Sequence, residues 1–261
     1  MSDALSFRSA FESHRGAFRA VNEDSFFEAP DLGIWAVADG MGGHEAGQLA
    51  STMVVDALDA MVPAGVNEQL SQTARKRLEQ INQRLREIAA KRYAGRIVGS
   101  TVAVLVIEGG AAVCLWAGDS RIYRYRAGGF VRLTRDHSRT EEMIASGQLD
   151  AVSADNHPLA NVITRAVGAE DQLVLEMRTE PVLSGDRFLM CTDGLTRTIE
   201  DGELATLMQV EDCVMATQGM LEQSLARRPK DNVTIGVVDV LGEDTALADA
   251  TVPREDANLR R

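Results

Sequence analysis

The chain has 261 residues, with 39 acidic against 27 basic side chains and a formal net charge of −12 when histidine is neutral. That balance excludes a general nucleic-acid binder, whose affinity would rest on neutralising phosphates with Lys and Arg. Apolar residues at 45% and charged residues at 25% exclude a disordered chain and provide the material for a sizeable core.

The amino terminus, MSDALSFRSAFESHRG, lacks a basic flank followed by an apolar stretch. No segment reaches the roughly 18 apolar residues of a membrane span, so a cytoplasmic protein with no membrane partner is expected. From Gly33 a strand-length apolar run, Ile34-Trp35-Ala36-Val37-Ala38, ends in the glycine-rich Asp39-Gly40-Met41-Gly42-Gly43. Ala46, Ala50, Met53, Val54, Ala57, Leu58 and Met61 then recur at helical spacing until Pro63 and Gly65 stop them. A second helical stripe follows, with Leu70, Ala74, Leu78, Ile81, Leu85 and Ile88, ending near Gly95. Its stretch from Arg75 to Arg96 holds Arg75, Lys76, Arg77, Arg84, Arg86, Lys91, Arg92 and Arg96 against Glu79 and Glu87. Such cations commonly form the solvated face of an amphipathic helix, the reading favoured here over docking.

Between Gly99 and Leu133 the texture turns to short β segments, 101–107, 112–117, 122–125 and 130–133, separated by glycine turns that indicate antiparallel hairpins. From about Asp136 to Asp171 the chain makes an excursion from the sheet, with one short helical pattern around Glu141 to Ala145. Strands are predicted at 173–177 and 187–192, helices at 202–208 and 213–225, and a last strand at 233–240. An acidic, Ala-rich tail follows Gly242. The pattern reads as one α+β domain, about 1–241, whose mainly antiparallel core is covered by helices, with 242–261 as a loose tail. Cys114, Cys191 and Cys213 are too few and too dispersed for a disulfide framework or a zinc half-site and read as reduced thiols.

Four times a strand-like run meets an aspartate beside a small or turn-forming residue: at Asp39, Asp119, Asp193 and Asp231. Glu23-Asp24 before Phe26-Phe27 adds a fifth acidic site. One such aspartate alone is a turn residue. Several brought together by a sheet repel one another unless protons or cations offset the charge. Oxygen-only donors favour magnesium or manganese, and the four histidines show no zinc-type spacing.

At these residues the sequence resembles the metal-dependent Ser/Thr protein phosphatases of the PPM family, in particular its bacterial, protein phosphatase 2C-like members. The segments that carry the resemblance, in order, are Arg19-Ala20-Val21-Asn22-Glu23-Asp24, Val37-Ala38-Asp39-Gly40-Met41-Gly42-Gly43-His44, Gly99-Ser100-Thr101, Ala117-Gly118-Asp119-Ser120-Arg121, Thr192-Asp193-Gly194-Leu195 and Lys230-Asp231-Asn232-Val233-Thr234. The resemblance implies a four-layer αββα fold, a central antiparallel β-sandwich flanked by helix pairs, with 136–171 as a flap beside the active site. It implies hydrolysis of phosphoserine and phosphothreonine on proteins by direct attack of a water bridging two divalent ions, Mn2+ or Mg2+, in opposition to a Ser/Thr protein kinase. By the same likeness Asp39 bridges the ions, the Gly40 carbonyl touches one, and Asp193 and Asp231 complete the other. Glu23 and Asp24 hold waters or ligate from the rim, Asp119 shares a third, weaker site with Asp193, and Arg19 binds the substrate phosphate.

Met41 stands where some family members carry a histidine thought to protonate the leaving oxygen. His44 is a candidate acid in its place; a water, or a merely solvent-facing His44, are the alternatives. Two other functions share parts of this pattern. A phosphatase of a phosphorylated anti-sigma-factor antagonist would use the same chemistry, and a catalytically silent sensing module would be marked by loss of bridging carboxylates. Asp39, Asp193 and Asp231 are all present.

Overall fold

Residues 5–43, 45–61, 69–150, 153 and 157–242 are described in a computed structural model of the chain. His44 and the tail from 243 onward lie outside them. In chain order the strands are β1 (Ser6–His14), β2 (Asp24–Ala29), β3 (Ile34–Met41), β4 (Gly99–Ser100), β5 (Val102–Glu108), β6 (Ala111–Ala117), β7 (Arg121–Arg126), β8 (Gly129–Arg132), β9 (Glu176–Pro181), β10 (Arg187–Cys191) and β11 (Val233–Leu241). The helices are α1 (Glu45–Asp59), α2 (Leu70–Arg92), α3 (Arg139–Ala145), α4 (Asp193–Thr196), α5 (Asp201–Leu207) and α6 (Cys213–Ala226).

Two antiparallel sheets face each other, one in the order β1-β11-β10-β7-β8 and one in the order β2-β3-β5-β6-β9, with β4 paired to β3. The unbroken apolar runs follow from this stacking, because both faces of the central strands are covered. Along β3 and β5, Trp35, Val37, Ala103 and Leu105 point to the opposite sheet and meet Ile122, Phe188, Met190 and Val238. Their neighbours Ile34, Ala36, Val104 and Val106 point outward under Ala50, Val54 and Leu58 of α1 and Leu78 and Leu85 of α2. On the far side Leu189, Ile235 and Val237 lie beneath Leu204, Ala216 and Met220 of α5 and α6. The four-layer αββα sandwich expected from the sequence is therefore the fold. Trp35 and Trp116 are core residues, and the three cysteines are free and buried, burial pushing the Cys114 and Cys191 thiols up to about 12.

Several elements differ from the sequence expectation, which has no counterpart for the two-residue β4 or the four-residue α4. β1 and β2 have no predicted counterpart: β1 is half-buried along its length, and β2 sets Phe26 and Phe27 side by side between acidic residues, so neither shows a clean alternation. The strand expected at 173–177 is displaced to Glu176–Pro181, a polar edge strand that leaves Val174 and Met177 exposed. In the basic segment, α2 buries Ala74, Leu78, Asn82, Leu85 and Ala89 along one stripe, and Arg84, Lys91 and Arg92 are exposed. Among the described residues no helix is long and apolar enough to cross a membrane.

The 136–171 excursion is pinned at both ends. Ser138 caps α3 by accepting from the Glu141 amide at 3.3 Å and bridges to Ile163. Near its far end Val167 bridges to Ser100, and the buried Asn82 of α2 accepts from Gly168 N at 2.6 Å.

Candidate active site

The predicted acidic residues meet at one end of the sandwich. Asp24 begins β2 and pairs in register with Asp39 near the end of β3. Asp119 lies between β6 and β7, Asp193 follows β10 as the first residue of α4, and Asp231 precedes β11. Because β10 and β11 are antiparallel neighbours, the end of one and the start of the other adjoin, which brings Asp193 and Asp231 to the same edge.

Backbone bonds set the bridge position. Asp39 N donates to Thr101 Oγ1 at 3.0 Å, and its carbonyl accepts from Thr101 N at 2.8 Å and Ser100 Oγ at 3.0 Å. Gly40 N donates to the Glu23 carbonyl at 3.1 Å. A Cβ on Gly40 would collide with the Gly47 carbonyl of α1, and a Cβ on Gly47 would collide with the Glu23 carboxylate. These glycines let α1 close on the strand end. Glu23 N donates to Asn232 Oδ1 at 2.8 Å, while the Asn232 amide donates to the Arg15 and Val21 carbonyls at 3.0 Å each. Asn232 thus locks the first acidic segment to the last.

Asp24 is held by hydroxyls: its Oδ2 accepts from Thr192 Oγ1 and Thr234 Oγ1, each at 2.8 Å. Thr192 is the N-cap residue of α4 yet makes no side-chain cap, because its hydroxyl is committed to Asp24 and accepts from Thr234 N at 3.0 Å. Burial nevertheless outweighs these bonds and raises the Asp24 carboxyl to about 7. Burial likewise holds Asp39 well above the usual carboxylate range, with the negative charges of Asp24, Asp193, Asp119 and Asp231 adding to it. Asp119 is pushed up to about 6 by burial and by Asp136, and Asp193 is raised by burial and by Asp119.

Two arginines stand among these carboxylates. Arg19 Nη2 donates to Asp231 Oδ2 at 2.8 Å, and its Nη1 lies 3.8 Å from Glu23 Oε2. Arg197 pairs with Asp193 and lies 3.9 Å from both Asp119 Oδ2 and Asp231 Oδ2. Among the described residues no three acidic, histidine or cysteine side chains already stand as a closed metal-ligand cage. The donor chemistry nonetheless fits a hard divalent cation: all the side-chain donors are carboxylates, and the buried Asp24 Oδ1 and Asp193 Oδ1 accept from no hydrogen-bond donor. Buried carboxylates that hold protons near neutrality are ones a cation can claim.

The sequence profile of the protein phosphatase 2C family matches residues 12–228. The chain belongs to this family. Among solved structures of similar fold is PppA, "a key regulatory component of T6SS in Pseudomonas aeruginosa", 40% identical, covering 91% of this chain and 100% of that one at a TM-score of 0.82. The catalytic domain of a serine/threonine protein phosphatase PstP, solved in complex with 2 manganese ions, is 29% identical over 91% of this chain and 100% of that one, with a TM-score of 0.81. The full PstP of Mycobacterium tuberculosis is 31% identical over 92% of this chain, which spans only 46% of that protein's length.

All the acidic family positions anticipated from the sequence, Glu23, Asp24, Asp39, Asp119, Asp193 and Asp231, therefore gather at one place, with Gly40 and Arg19 beside them. His44 lies outside the described residues. Arg197, Thr192, Thr234 and Asn232 carry no role predicted from the sequence. The last three sit inside motifs already quoted, and Arg197 is four residues past Asp193, but no pattern in the chain marks a side chain that reaches across loops.

The close approach of α4 to β11 is a test of how the site is assembled. A Cβ on Gly194 would run into the Asn232 carbonyl oxygen, with the carbonyl carbon at 2.9 Å. Backbone cannot rotate away as a side chain would, so Gly194→Ala should cost about 1–3 kcal/mol, the range of overpacking. It should also weaken manganese binding by separating Asp193 from Asp231. Urea denaturation together with a manganese titration checks both; an unchanged midpoint would show that the two loops do not need this contact.

Proposed function

We propose that the chain is a metal-dependent protein phosphatase that releases phosphate from phosphoserine and phosphothreonine on proteins. The observation that carries this reading is the convergence of buried carboxylates, with oxygens that no donor reaches, at one end of a protein phosphatase 2C sandwich. The manganese in PstP supports a binuclear centre of Mn2+ or Mg2+ here. In this reading Asp39 would be shared by the two ions, the Gly40 carbonyl would help to hold one, Asp193 and Asp231 would help to hold the other, and Glu23 and Asp24 would stand at the rim. Residues 1–241 form the catalytic unit, with 136–171 as its flap.

Bound divalent ions would supply an activated water and a clamp on the phosphoryl oxygens. The chain's own residues supply position. Thr192 and Thr234 fix the Asp24 carboxylate through its Oδ2. Asn232 ties Glu23 to the segment that carries Asp231, and Thr101 and Ser100 fix the backbone of Asp39. Arg19, its side chain 43% exposed, presents a permanently charged planar fork at the mouth, suited to the substrate phosphate. Met41 is a thioether and donates no proton, which leaves His44 or water as the source for the departing serine or threonine oxygen.

The substrates are phosphorylated proteins, and the opponent is a cognate Ser/Thr kinase in the cytoplasm. The 40% identity to PppA over that protein's solved length supports a place in the control of a T6SS. The deciding experiment treats a protein phosphorylated on serine and threonine with the purified chain, in manganese and in chelator. Phosphate release is expected only with manganese; equal release in both would overturn the metal-dependent reading. Phosphoproteomics after deletion of the gene, with secretion measured in parallel, tests the pathway.

A further inference from the structure

Arg197 follows directly on α4, and its amide donates to the Asp193 carbonyl at 2.9 Å. That four-residue spacing lays its side chain over Asp193, as neighbours on one helical face. The guanidinium pairs with Asp193 Oδ2 through Nη2, which also lies 3.9 Å from Asp119 Oδ2, while Nη1 lies 3.9 Å from Asp231 Oδ2. One cation thus faces carboxylates from three separate loops: β6–β7, the end of β10, and the segment before β11. Arg19 meets the cluster through Asp231 and Glu23.

We propose that Arg197, in contact with Asp193 and equally near Asp119 and Asp231, is a built-in cation of the cluster that takes the place of a further divalent ion between Asp119 and Asp193, where no Asp39 carboxylate helps to hold one, so that the chain loads two ions rather than three. The proposal rests on the reading of the cluster as a metal centre. A guanidinium cannot be discharged by deprotonation in a protein, so it offsets the negative charge of Asp193 and Asp119 at every working pH. A divalent ion seated between those two carboxylates would stand within a few ångströms of that fixed charge and be repelled by it with twice the force felt by a monovalent one. Arg197 also gives Asp193 a partner before any ion binds, which makes it a positioning residue for the cluster. Asp39, by contrast, takes no ion pair from either arginine and is left for the ions. The third, weaker site expected from the sequence at Asp119 and Asp193 is thus filled by the protein itself.

Manganese bound per chain, counted by equilibrium dialysis of the full chain, tests this. Two ions are expected for the unsubstituted chain and for Arg197→Lys, and three for Arg197→Ala and Arg197→Gln. Adding Asp119→Asn to Arg197→Gln should return the count to two. Melting supplies a second readout: in chelator Arg197→Gln should melt several degrees below the unsubstituted chain, and manganese should close that gap. Equal, non-zero counts in the unsubstituted chain and both neutral variants would overturn this proposal while leaving the metal centre standing. No manganese bound by the unsubstituted chain would sink the metal centre and this proposal with it.

Discussion

Asp39→Asn should lower kcat/KM with manganese by on the order of 10²–10³-fold, the scale of losing one preorganised electrostatic contact in a water-excluded site. The substitution keeps size and shape, and the backbone of residue 39 is held by Thr101 and Ser100 through bonds that do not involve its side chain. What disappears is a charge and one acceptor oxygen, at the position read as the bridge between both ions. The same change should leave the metal-free protein as stable as before, or raise its melting temperature. Burial and the surrounding carboxylates hold Asp39 well above its ordinary range, so its ionised form costs folding energy near neutral pH. A neutral amide removes that cost. Loss of activity with no loss of metal-free stability separates a functional residue from a structural one. Full activity in the variant would remove Asp39 from the bridge.

How much of this was legible in the sequence depends on which interactions are local. The covered strands β3, β5, β6 and β10 read clearly because both their faces are apolar, and a run such as Ile34 to Ala38 needs no partner to be recognised. β1 escaped because, as an edge strand bonded to β11 alone, it spaces Phe7, Ala10 and Phe11 without a period of two. β9 was misplaced because its ladder to β6 runs through Glu176, Arg178 and Glu180, whereas the apolar Leu173 and Val174 that suggested a strand lie before it. At the site the carboxylates were visible, since aspartate at a strand end beside a turn residue is a repeated local pattern. Their supports were not. Thr192 and Thr234 meet Asp24 from 168 and 210 residues away. Arg197 has Asp193 as a local neighbour four residues back, but it reaches Asp119 and Asp231 only after three loops have been brought to one edge. Such partners are set by the topology, which composition and periodicity do not encode one residue at a time.

Manganese should raise the melting temperature of the chain by roughly 10–20 °C over the value in chelator, and the increment should grow between about pH 6 and pH 8. An ion that binds only the folded state stabilises it by about 2.7 kcal/mol at about 100 times its Kd, and a domain of this size gains about 2–4 °C per kcal/mol, so two ions give that range. The pH dependence follows from the carboxyls that burial has raised, Asp24 to about 7 and Asp119 to about 6. In the metal-free fold these groups carry more protons than in the unfolded chain, where carboxyls titrate near about 4. Stability therefore rises as pH falls from about 7, and the penalty of the ionised groups is complete above it. Ions bind the deprotonated carboxylates and must displace those protons, so they bind more weakly at pH 6 and fully at pH 8. Acid thus narrows the gap from both sides: the metal-free protein becomes more stable and the loaded one loses ions. Thermal melts across this range, in manganese and in chelator, test the cluster directly. A manganese increment that is absent, or that shrinks as pH rises, would show that these carboxylates do not hold the ions.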